Sequence, residues 1–238
     1  MKKEIRIQKF IADSGYCSRR KAESFITLGK VFVNGKKLDE FGLKINPEKD
    51  RVEVNGKRII IKQKSEKIYI ILNKPPGYIS SCNHKGRKII LDLINIKERI
   101  YPVGRLDSDS RGLILLTNDG PLHNILSHPS FDHEKEYIVE TNSPLTKANI
   151  KNFSSGLFIE GVKTRKAIIK KAGEKEYRII LKEGRNRQIR KMMETLNKKV
   201  IDLKRIRIAS LTLGNLKEGK WRYLTQNEVK SLKKITKK

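Results

Sequence analysis

Apolar residues near the start of the chain recur at helical spacing. Ile7, Phe10 and Ile11 fall at i, i+3 and i+4, so they share one face of a predicted helix that ends near Gly15. The same spacing returns after Ser18, whose hydroxyl can cap the first turn of a second predicted helix. Two short amphipathic helices are therefore expected at the start of the chain.

Two strand-like runs follow these helices. Residues 31–33 and 52–54 are rich in valine, and an Asn-Gly pair that favours a turn comes after each run. We expect residues 1–62 to form a small α-β domain. Residues 63–67 are polar and contain no apolar side chain, which predicts a linker.

Strand patterns dominate beyond this linker. Short runs rich in branched and aromatic residues occur at 68–72, 113–116, 137–140, 167–170, 177–181 and 206–213. Helical spacing returns near 145–153, near 186–196 and from Thr225 onward. Thr225 and Glu228 have the spacing of a capping box. The expected fold class is α+β, with a larger domain over 68–232 built on a mixed, mostly antiparallel sheet with flanking helices, and a basic tail at 233–238.

The chain is strongly basic. It has 54 Lys and Arg residues against 26 Asp and Glu residues, which gives a formal net charge of +28 and a pI near 10.1. Basic residues are spread along the whole chain between periodic apolar segments, which is typical of a folded protein that binds a polyanion. Nucleic acid is therefore the expected partner, and self-repulsion between like charges favours a monomer.

Several other kinds of protein are not indicated. Cys17 and Cys82 are far apart and form no C-x-x-C pair, so neither a zinc site nor a disulfide framework is expected. The four histidines lack ligand spacing and no glycine-rich phosphate loop is visible, so we expect no metal and no small-molecule cofactor. Charges interrupt the apolar positions of the first ten residues, and no later stretch approaches about 18 uninterrupted apolar residues. We therefore expect a cytoplasmic protein with no signal peptide and no membrane segment.

The segment from Val103 to Gly120 has the most unusual pattern. A polar loop with Arg105, Asp107 and Asp109 leads directly into an apolar strand. A nearby cation favours the charged form of a partly desolvated carboxylate, so Asp107 could act as a nucleophile, a general base or a metal ligand. Asp109 is expected to face solvent or to cap the turn.

Four segments resemble the motifs of one enzyme family. Residues 104–120 closely resemble the G-R-L-D-x-x-S-x-G-L-L-L-L-T-N-D-G motif of pseudouridine synthases of the RsuA/RluB type. Residues 73–81, 133–137 and 183–192 resemble further motifs of that family, in the expected order. Residues 7–35 are similar to the RNA-binding domain first known from small-subunit ribosomal protein four. The resemblance covers nearly the whole chain.

The resemblance implies an activity and roles for particular residues. Such enzymes isomerise a uridine in structured RNA to pseudouridine. We expect ribosomal RNA or a pre-ribosomal particle as the partner, with large-subunit RNA favoured over small-subunit RNA. Asp107 is implied as the nucleophile, and Tyr137 as the residue that stacks on the flipped base and helps to remove its carbon-five proton. Arg190 is implied as the cation that pairs with Asp107.

Seven basic residues are expected to contact RNA rather than to take part in bond making. They are Arg19, Arg20, Lys21, Lys74, Arg105, Arg185 and Arg187. The first three open the second predicted helix, where the helix dipole and the free backbone amides also favour anions. Arg105 and Arg187 are expected to hold phosphates or the displaced strand.

Two other functions are compatible with part of this pattern. A catalytically silent RNA-binding factor for ribosome assembly would keep the charge and lose the chemistry, and the intact set of Asp107, Tyr137 and Arg190 argues against it. A metal-dependent nuclease could use Asp107, Asp109 and Asp119, but no supporting acid-histidine set is visible.

Overall fold

The computed structural model describes residues 4–61, 66–127 and 132–235 of the 238-residue chain. The chain divides into two compact units, Met1–Glu66 and Lys67–Lys238. The greater part of the predicted linker, residues 63–65, lies outside the described residues.

The smaller unit packs two helices on short strands. Its elements within the described residues are β1 (Ile5–Arg6), α1 (Ile7–Asp13), α2 (Arg19–Thr27), β2 (Val31–Val33), β3 (Lys36–Lys37), β4 (Lys44–Ile45), β5 (Val52–Val54) and β6 (Lys57–Ile59). Strands β3, β2, β5 and β6 form an antiparallel sheet in that order, and β1 pairs with β4. Ile7, Ile11 and Ile26 are buried with Val31 and Val52 in one core, which confirms both predicted helices.

The larger unit alternates strands and helices. Its elements within the described residues are β7 (Tyr69–Lys74), a 3-10 helix (Ile90–Leu93), β8 (Tyr101–Val103), β9 (Arg111–Thr117), α3 (Gly120–Ser127), β10 (Lys135–Thr141), α4 (Lys147–Ser155), β11 (Phe158–Ile159), β12 (Val162–Lys163), β13 (Ile168–Lys171), β14 (Glu176–Leu181), α5 (Gln188–Thr195), β15 (Val200–Ile208), β16 (Leu211–Thr212), β17 (Trp221–Tyr223) and α6 (Gln226–Ile235). The three helices predicted here are confirmed as α4, α5 and α6. Thr225 and Glu228 form the expected capping box, with N–H to side-chain oxygen distances of 2.8 and 3.3 Å.

One sheet forms the centre of the larger unit. Its strand order is β13-β14-β10-β15-β9-β7-β17, with β16 paired to β15 and β8 paired to β9. Among the described strands of this sheet, β9 and β15 pair in parallel and the other pairs are antiparallel. The predicted mixed, mostly antiparallel sheet is confirmed.

The parallel pair depends on a glycine. Gly112 lies opposite Arg205 and has φ +106°, a backbone conformation that side chains disfavour. A Cβ atom at this position would lie 2.2 Å from the backbone oxygen of Arg205. Glycine at position 112 therefore allows the start of β9 to lie close to β15, next to the loop that carries Asp107.

Three features differ from the predictions. The run 206–213 is not one strand, because the chain turns at Ala209 (φ +50°) between β15 and β16. Helix α3 was not predicted, since its first residues, Gly120 and Pro121, are typical of a turn. Helix α6 includes residues 233–235 of the predicted tail, and residues 236–238 lie outside the described part. No helix in the described residues is long and apolar enough to cross a membrane.

Candidate active site

Asp107 lies on the loop between β8 and β9, whose backbone is fixed by hydrogen bonds. The hydroxyl of Ser80 donates to the carbonyl oxygen of Leu106 at 2.8 Å and accepts from the N–H of Leu106 at 3.0 Å. Within the loop, the N–H of Ser110 donates to the carbonyl oxygen of Asp107 at 3.1 Å. The backbone of Asp107 is therefore held in place, while 28% of its side chain remains exposed.

Lys74 supports this loop from inside the protein. Its side chain is fully buried, and Nζ donates to the carbonyl oxygens of Pro75 at 3.0 Å, Ser108 at 3.3 Å and Ser110 at 2.7 Å. The prediction that Lys74 contacts RNA is wrong, because a buried ammonium whose donors are all used cannot reach a phosphate. Burial lowers the pKa of Lys74 to about 8, against the opposing effect of the nearby carboxylates.

Two carboxylates of the loop face two arginines at the start of α5. Nη1 of Arg187 lies 3.8 Å from Oδ2 of Asp107 and 3.2 Å from Oδ2 of Asp109. Nη2 of Arg190 lies 3.3 Å from Oδ2 of Asp109. The predicted ion pair between Arg190 and Asp107 is not formed, and within the described residues Arg187 is the ion-pair partner of Asp107. Asp109 is half-exposed, as expected, but it also bridges both arginines, which the sequence did not predict.

The helix explains why Arg187 rather than Arg190 reaches Asp107. Arg190 is buried, and its Nη1 donates to the carbonyl oxygen of Val200 at 3.1 Å. This bond directs the guanidinium into the protein. Arg187 stands at the N-cap of α5 with φ +51°, and its side chain is 40% exposed. Its guanidinium is therefore free to lie over the loop.

Tyr137 lies in the middle of the sheet. It is directly opposite Ile179 of β14 and Arg205 of β15, and only 8% of the residue is exposed. Tyr137, Asp107 and Arg190 all line one cavity of about 370 Å³. The structure thus places the three residues of the predicted catalytic set around a single space.

This cavity is strongly positive. The ionisable residues that line it are Arg105, Asp107, His133, Lys135, Tyr137, Lys182, Glu183, Arg185, Arg187, Arg190 and Arg205. Cations outnumber carboxylates, so the cavity favours an anionic ligand. Its volume lies within the roughly 300–1,000 Å³ of typical ligand pockets, which suits a nucleotide.

Six of the residues predicted to contact RNA lie in two places. The larger unit has Arg105, Arg185 and Arg187 on the cavity lining, and the smaller unit exposes Arg19, Arg20 and Lys21 in the first turn of α2. Ser18 caps that turn by accepting from the N–H of Lys21 at 3.1 Å. Arg185 is half-buried, and its guanidinium donates to the carbonyl oxygens of Val162 and Lys163 at 3.3 and 2.9 Å.

The sequence did not identify three cations of the cavity, Lys135, Lys182 and Arg205. Lys135 opens β10, and burial together with the charge of Arg205 lowers its pKa. Arg205 is 2% exposed in the middle of β15. Leu203 and Arg205 are two residues apart on a strand, so they share one face. Because Leu203 is apolar, this spacing could have indicated that Arg205 points inward.

Asp119, the third acid of the nuclease hypothesis, does not line the cavity. Its Oδ2 accepts from the hydroxyl of Tyr69 at 2.7 Å, and its Oδ1 accepts from the N–H of Leu122 at 3.3 Å at the start of α3. In the part of the chain that the structure describes, no group of three or more His, Cys, Asp or Glu residues could hold a metal ion.

Comparison with known proteins identifies the family. Residues 68–195 match the RNA pseudouridylate synthase family, and they include Asp107, Tyr137 and Arg190. The chain belongs to the RNA pseudouridylate synthase family. Residues 5–49 of this pseudouridylate synthase match the S4 domain. The predicted family and fold class are confirmed.

Relatives of this pseudouridylate synthase support the assignment over nearly its whole length. The dual-specificity RNA pseudouridine synthase RluF of Escherichia coli (strain K12) is 42% identical over 231 residues, covering 97% of this chain and 79% of the relative. The ribosomal large subunit pseudouridine synthase B of Bacillus subtilis (strain 168) is 42% identical over 238 residues, covering 97% and 96%. A crystal structure of a pseudouridylate synthase matches with a TM-score of 0.70 and 28% identity, covering 96% of this chain and 99% of that one.

Proposed function

We propose that this enzyme converts a uridine of ribosomal RNA, in the large subunit, to pseudouridine with Asp107 as its nucleophile. One observation carries the proposal. Asp107 has a fixed backbone and an open side chain in a cationic cavity, 3.8 Å from a guanidinium, inside the region that matches the family. A positioned carboxylate that stays ionised is the group that such a reaction needs.

The choice of RNA rests on charge and on the relatives. The Bacillus subtilis relative is named for the large ribosomal subunit. The net charge of +28 and the positive cavity suit a polyanion. We assign RNA anchoring to residues 1–62, through the exposed cations of α2, and catalysis to residues 68–232. The repulsion between two copies of so basic a chain favours a monomer, which we place in the cytoplasm.

The reaction requires the target nucleotide to leave the RNA stack. A stacked uridine hides its glycosidic carbon, so the base must flip into the cavity at the cost of lost stacking. Exposed arginines at the rim, Arg105 and Arg187, would hold the phosphates of the opened strand. The buried part of the cavity would then enclose the uracil and its ribose.

The isomerisation breaks the bond between N1 and C1′ and forms one between C5 and C1′. A carboxylate can begin it by attacking C1′ of the ribose or C6 of the uracil, and both routes use Asp107. Asp107 is bonded to the ribose in the first route and to the uracil in the second, and the cavity has to hold the other part while the base rotates. Loss of the proton from C5 and gain of one at N1 complete the product.

The neighbours of Asp107 have distinct roles. Tyr137 would stack on the flipped base and take part in removing the C5 proton. Arg187 is the ion-pair partner of Asp107 among the described residues, and its guanidinium would help to orient the carboxylate. Arg190 is a positioning residue in this proposal, since it fixes the loop through the backbone oxygen of Asp109 at 3.3 Å and the hydroxyl of Ser110 at 3.4 Å.

Mapping of pseudouridines tests the proposal. Total RNA from cells with and without the gene is treated with carbodiimide, and adduct stops are compared across both ribosomal RNAs. We expect one or a few large-subunit positions to lose their adduct, and to regain it when the wild-type gene, but not the Asp107→Asn gene, is returned. Loss only in small-subunit RNA would overturn the choice of substrate. An unchanged map would favour a catalytically silent assembly factor.

A further inference from the structure

Arg205 is a buried cation with an unused donor. Only 2% of the residue is exposed. Its Nε donates to the carbonyl oxygen of Leu113 at 2.8 Å, and its Nη1 donates to the carbonyl oxygen of Arg105 at 3.3 Å. Its Nη2 is buried and has no hydrogen-bond partner among the described residues.

Other arginines of the sheet are neutralised by carboxylates. Arg111 pairs with Asp202 at 2.7 Å, and Arg207, two residues along β15, pairs with Glu136 at 2.7 Å. Arg205 has no ion-pair partner within the residues that the structure describes. Burial lowers its pKa, which reflects the cost of holding an isolated charge away from water. Buried donors nearly always have a hydrogen-bond partner. A bound ligand that accepts from Nη2 of Arg205 would supply the missing partner.

The surroundings of Arg205 point to the reaction site. Arg205 lines the cavity that contains Asp107. Its Nη1 holds the backbone of Arg105, two residues before Asp107, and Gly112 allows β9 to pass close to its backbone. Tyr137 lies directly opposite on β10, and its side chain is close enough to the guanidinium to raise the pKa of Arg205 through charge and a hydrogen bond, against the lowering by burial. A base stacked on Tyr137 would therefore lie beside the guanidinium.

We propose that Nη2 of Arg205 donates a hydrogen bond to a carbonyl oxygen of the flipped uracil and stabilises the negative charge that the base carries during the rearrangement. The inference rests on the proposed function and adds a residue that contacts the substrate. Fixed donors aimed at developing charge in a water-poor site make large contributions to catalysis.

The chemistry explains why a guanidinium suits this position. When the bond between N1 and C1′ breaks, its electron pair stays on uracil, and C1′ becomes bonded to an oxygen of Asp107. The resulting anion is delocalised over N1, O2 and O4. After rotation, an electron pair at C5 forms the bond to C1′, and Asp107 leaves with the pair of its own bond. C5 then loses its proton and N1 gains one. Attack at C6 also places charge on the carbonyl oxygens. Arg205 transfers no proton, because a guanidinium stays protonated, so it can stabilise the anion throughout.

Single-turnover kinetics with sulfur-substituted RNA test this contact. The substrates are an RNA fragment with the mapped target uridine and the same fragment with 2-thiouridine or 4-thiouridine there, since sulfur accepts hydrogen bonds poorly. We expect Arg205→Gln to reduce the rate on the normal fragment by about 10²–10³-fold, with little change in RNA affinity. One of the two sulfur substitutions should slow the wild-type enzyme and have no further effect on Arg205→Gln.

Controls separate this contact from a loss of folding. Arg207→Gln removes the same charge from the same strand outside the cavity, and it should keep the wild-type sensitivity to sulfur. If Arg205→Gln fails to fold, Arg205→Lys keeps the charge while losing the planar fork, and the same loss of sulfur sensitivity is expected. Equal sulfur effects in wild-type and variant enzymes would overturn the inference alone. A wild-type enzyme that converts no uridine would overturn the proposed function and the inference together.

Discussion

Nη1 of Arg187 lies 3.8 Å from Oδ2 of Asp107, at the outer edge of ion-pairing distance. The same guanidinium is closer to Asp109, at 3.2 Å. Asp107 is therefore in the field of a cation without a short bond that would have to break before the carboxylate attacks. The carboxylate is therefore oriented by Arg187 and still available for attack. Arg187 makes the ion pair that the sequence predicted for Arg190.

Replacement of Arg187 should affect turnover modestly. The pair with Asp107 is partly exposed and long, and such pairs contribute about 0–1 kcal/mol, so we expect Arg187→Gln to lower kcat by about tenfold or less. The free energy of unfolding should change little. Steady-state kinetics on the target RNA and denaturant unfolding measure both. A loss of turnover as large as that from removing Asp107 would contradict a supporting role.

Replacement of Arg190 should affect stability more. Arg190→Met removes bonds to Val200, Asp109 and Ser110 from a buried position, so we expect the free energy of unfolding to fall by about 1–3 kcal/mol. Turnover should fall as well, because the loop that carries Asp107 loses its support. An unchanged unfolding midpoint in urea would rule out this positioning role.

The pH dependence of the free energy of unfolding tests the buried position of Lys74. Its folded pKa of about 8 lies below the ordinary 10.5, so between these values the unfolded chain binds more protons. The stability penalty of the charged form is fully present below pH 8 and is relieved as the pH rises towards 10.5. The free energy of unfolding of wild type minus that of Lys74→Met should therefore increase from pH 7 to 10, by about 1–3 kcal/mol. A constant or decreasing difference would contradict the buried position.

The exposed cations of α2 should govern part of the salt dependence of binding. Replacing Arg19, Arg20 and Lys21 with Gln should weaken binding and reduce the slope of log affinity against log salt by about 0.7–0.9 for each phosphate that these cations neutralise. The matched control replaces three exposed lysines in or beside β13, the edge strand of the sheet in the larger unit: Lys166, Lys170 and Lys171. A slope change no larger than that of the control would show that these three cations do not anchor RNA.

The sequence predicted the parts of the fold that local patterns determine. The spacing of Ile189, Met192 and Met193 predicted α5, and all three residues are buried there. The capping box at Thr225 and Glu228 formed as expected. The motif around Asp107 predicted the position of the acid on a loop before a strand.

The sequence could not predict the outcomes that depend on distant contacts. Lys74 became structural because its ammonium meets the carbonyl oxygen of Ser110, 36 residues away. The strand pattern marks Arg205 as inward, but its position beside the loop of Asp107 depends on the parallel pairing of β9 with β15, which no local pattern indicates. Arg187 and Arg190 are three residues apart on one segment, and the choice between them as the partner of Asp107 followed from the backbone at the N-cap of α5.

Release of tritium from carbon five of uridine tests the central claim most directly. Asp107→Asn keeps the shape of the side chain and removes the nucleophilic charge, and Asp39→Asn makes the same change of charge at an exposed position. We expect no release by Asp107→Asn on RNA labelled at carbon five, with RNA affinity near that of wild type, and normal release by Asp39→Asn. Turnover by Asp107→Asn at a rate near that of wild type would contradict the assignment of Asp107 as the nucleophile.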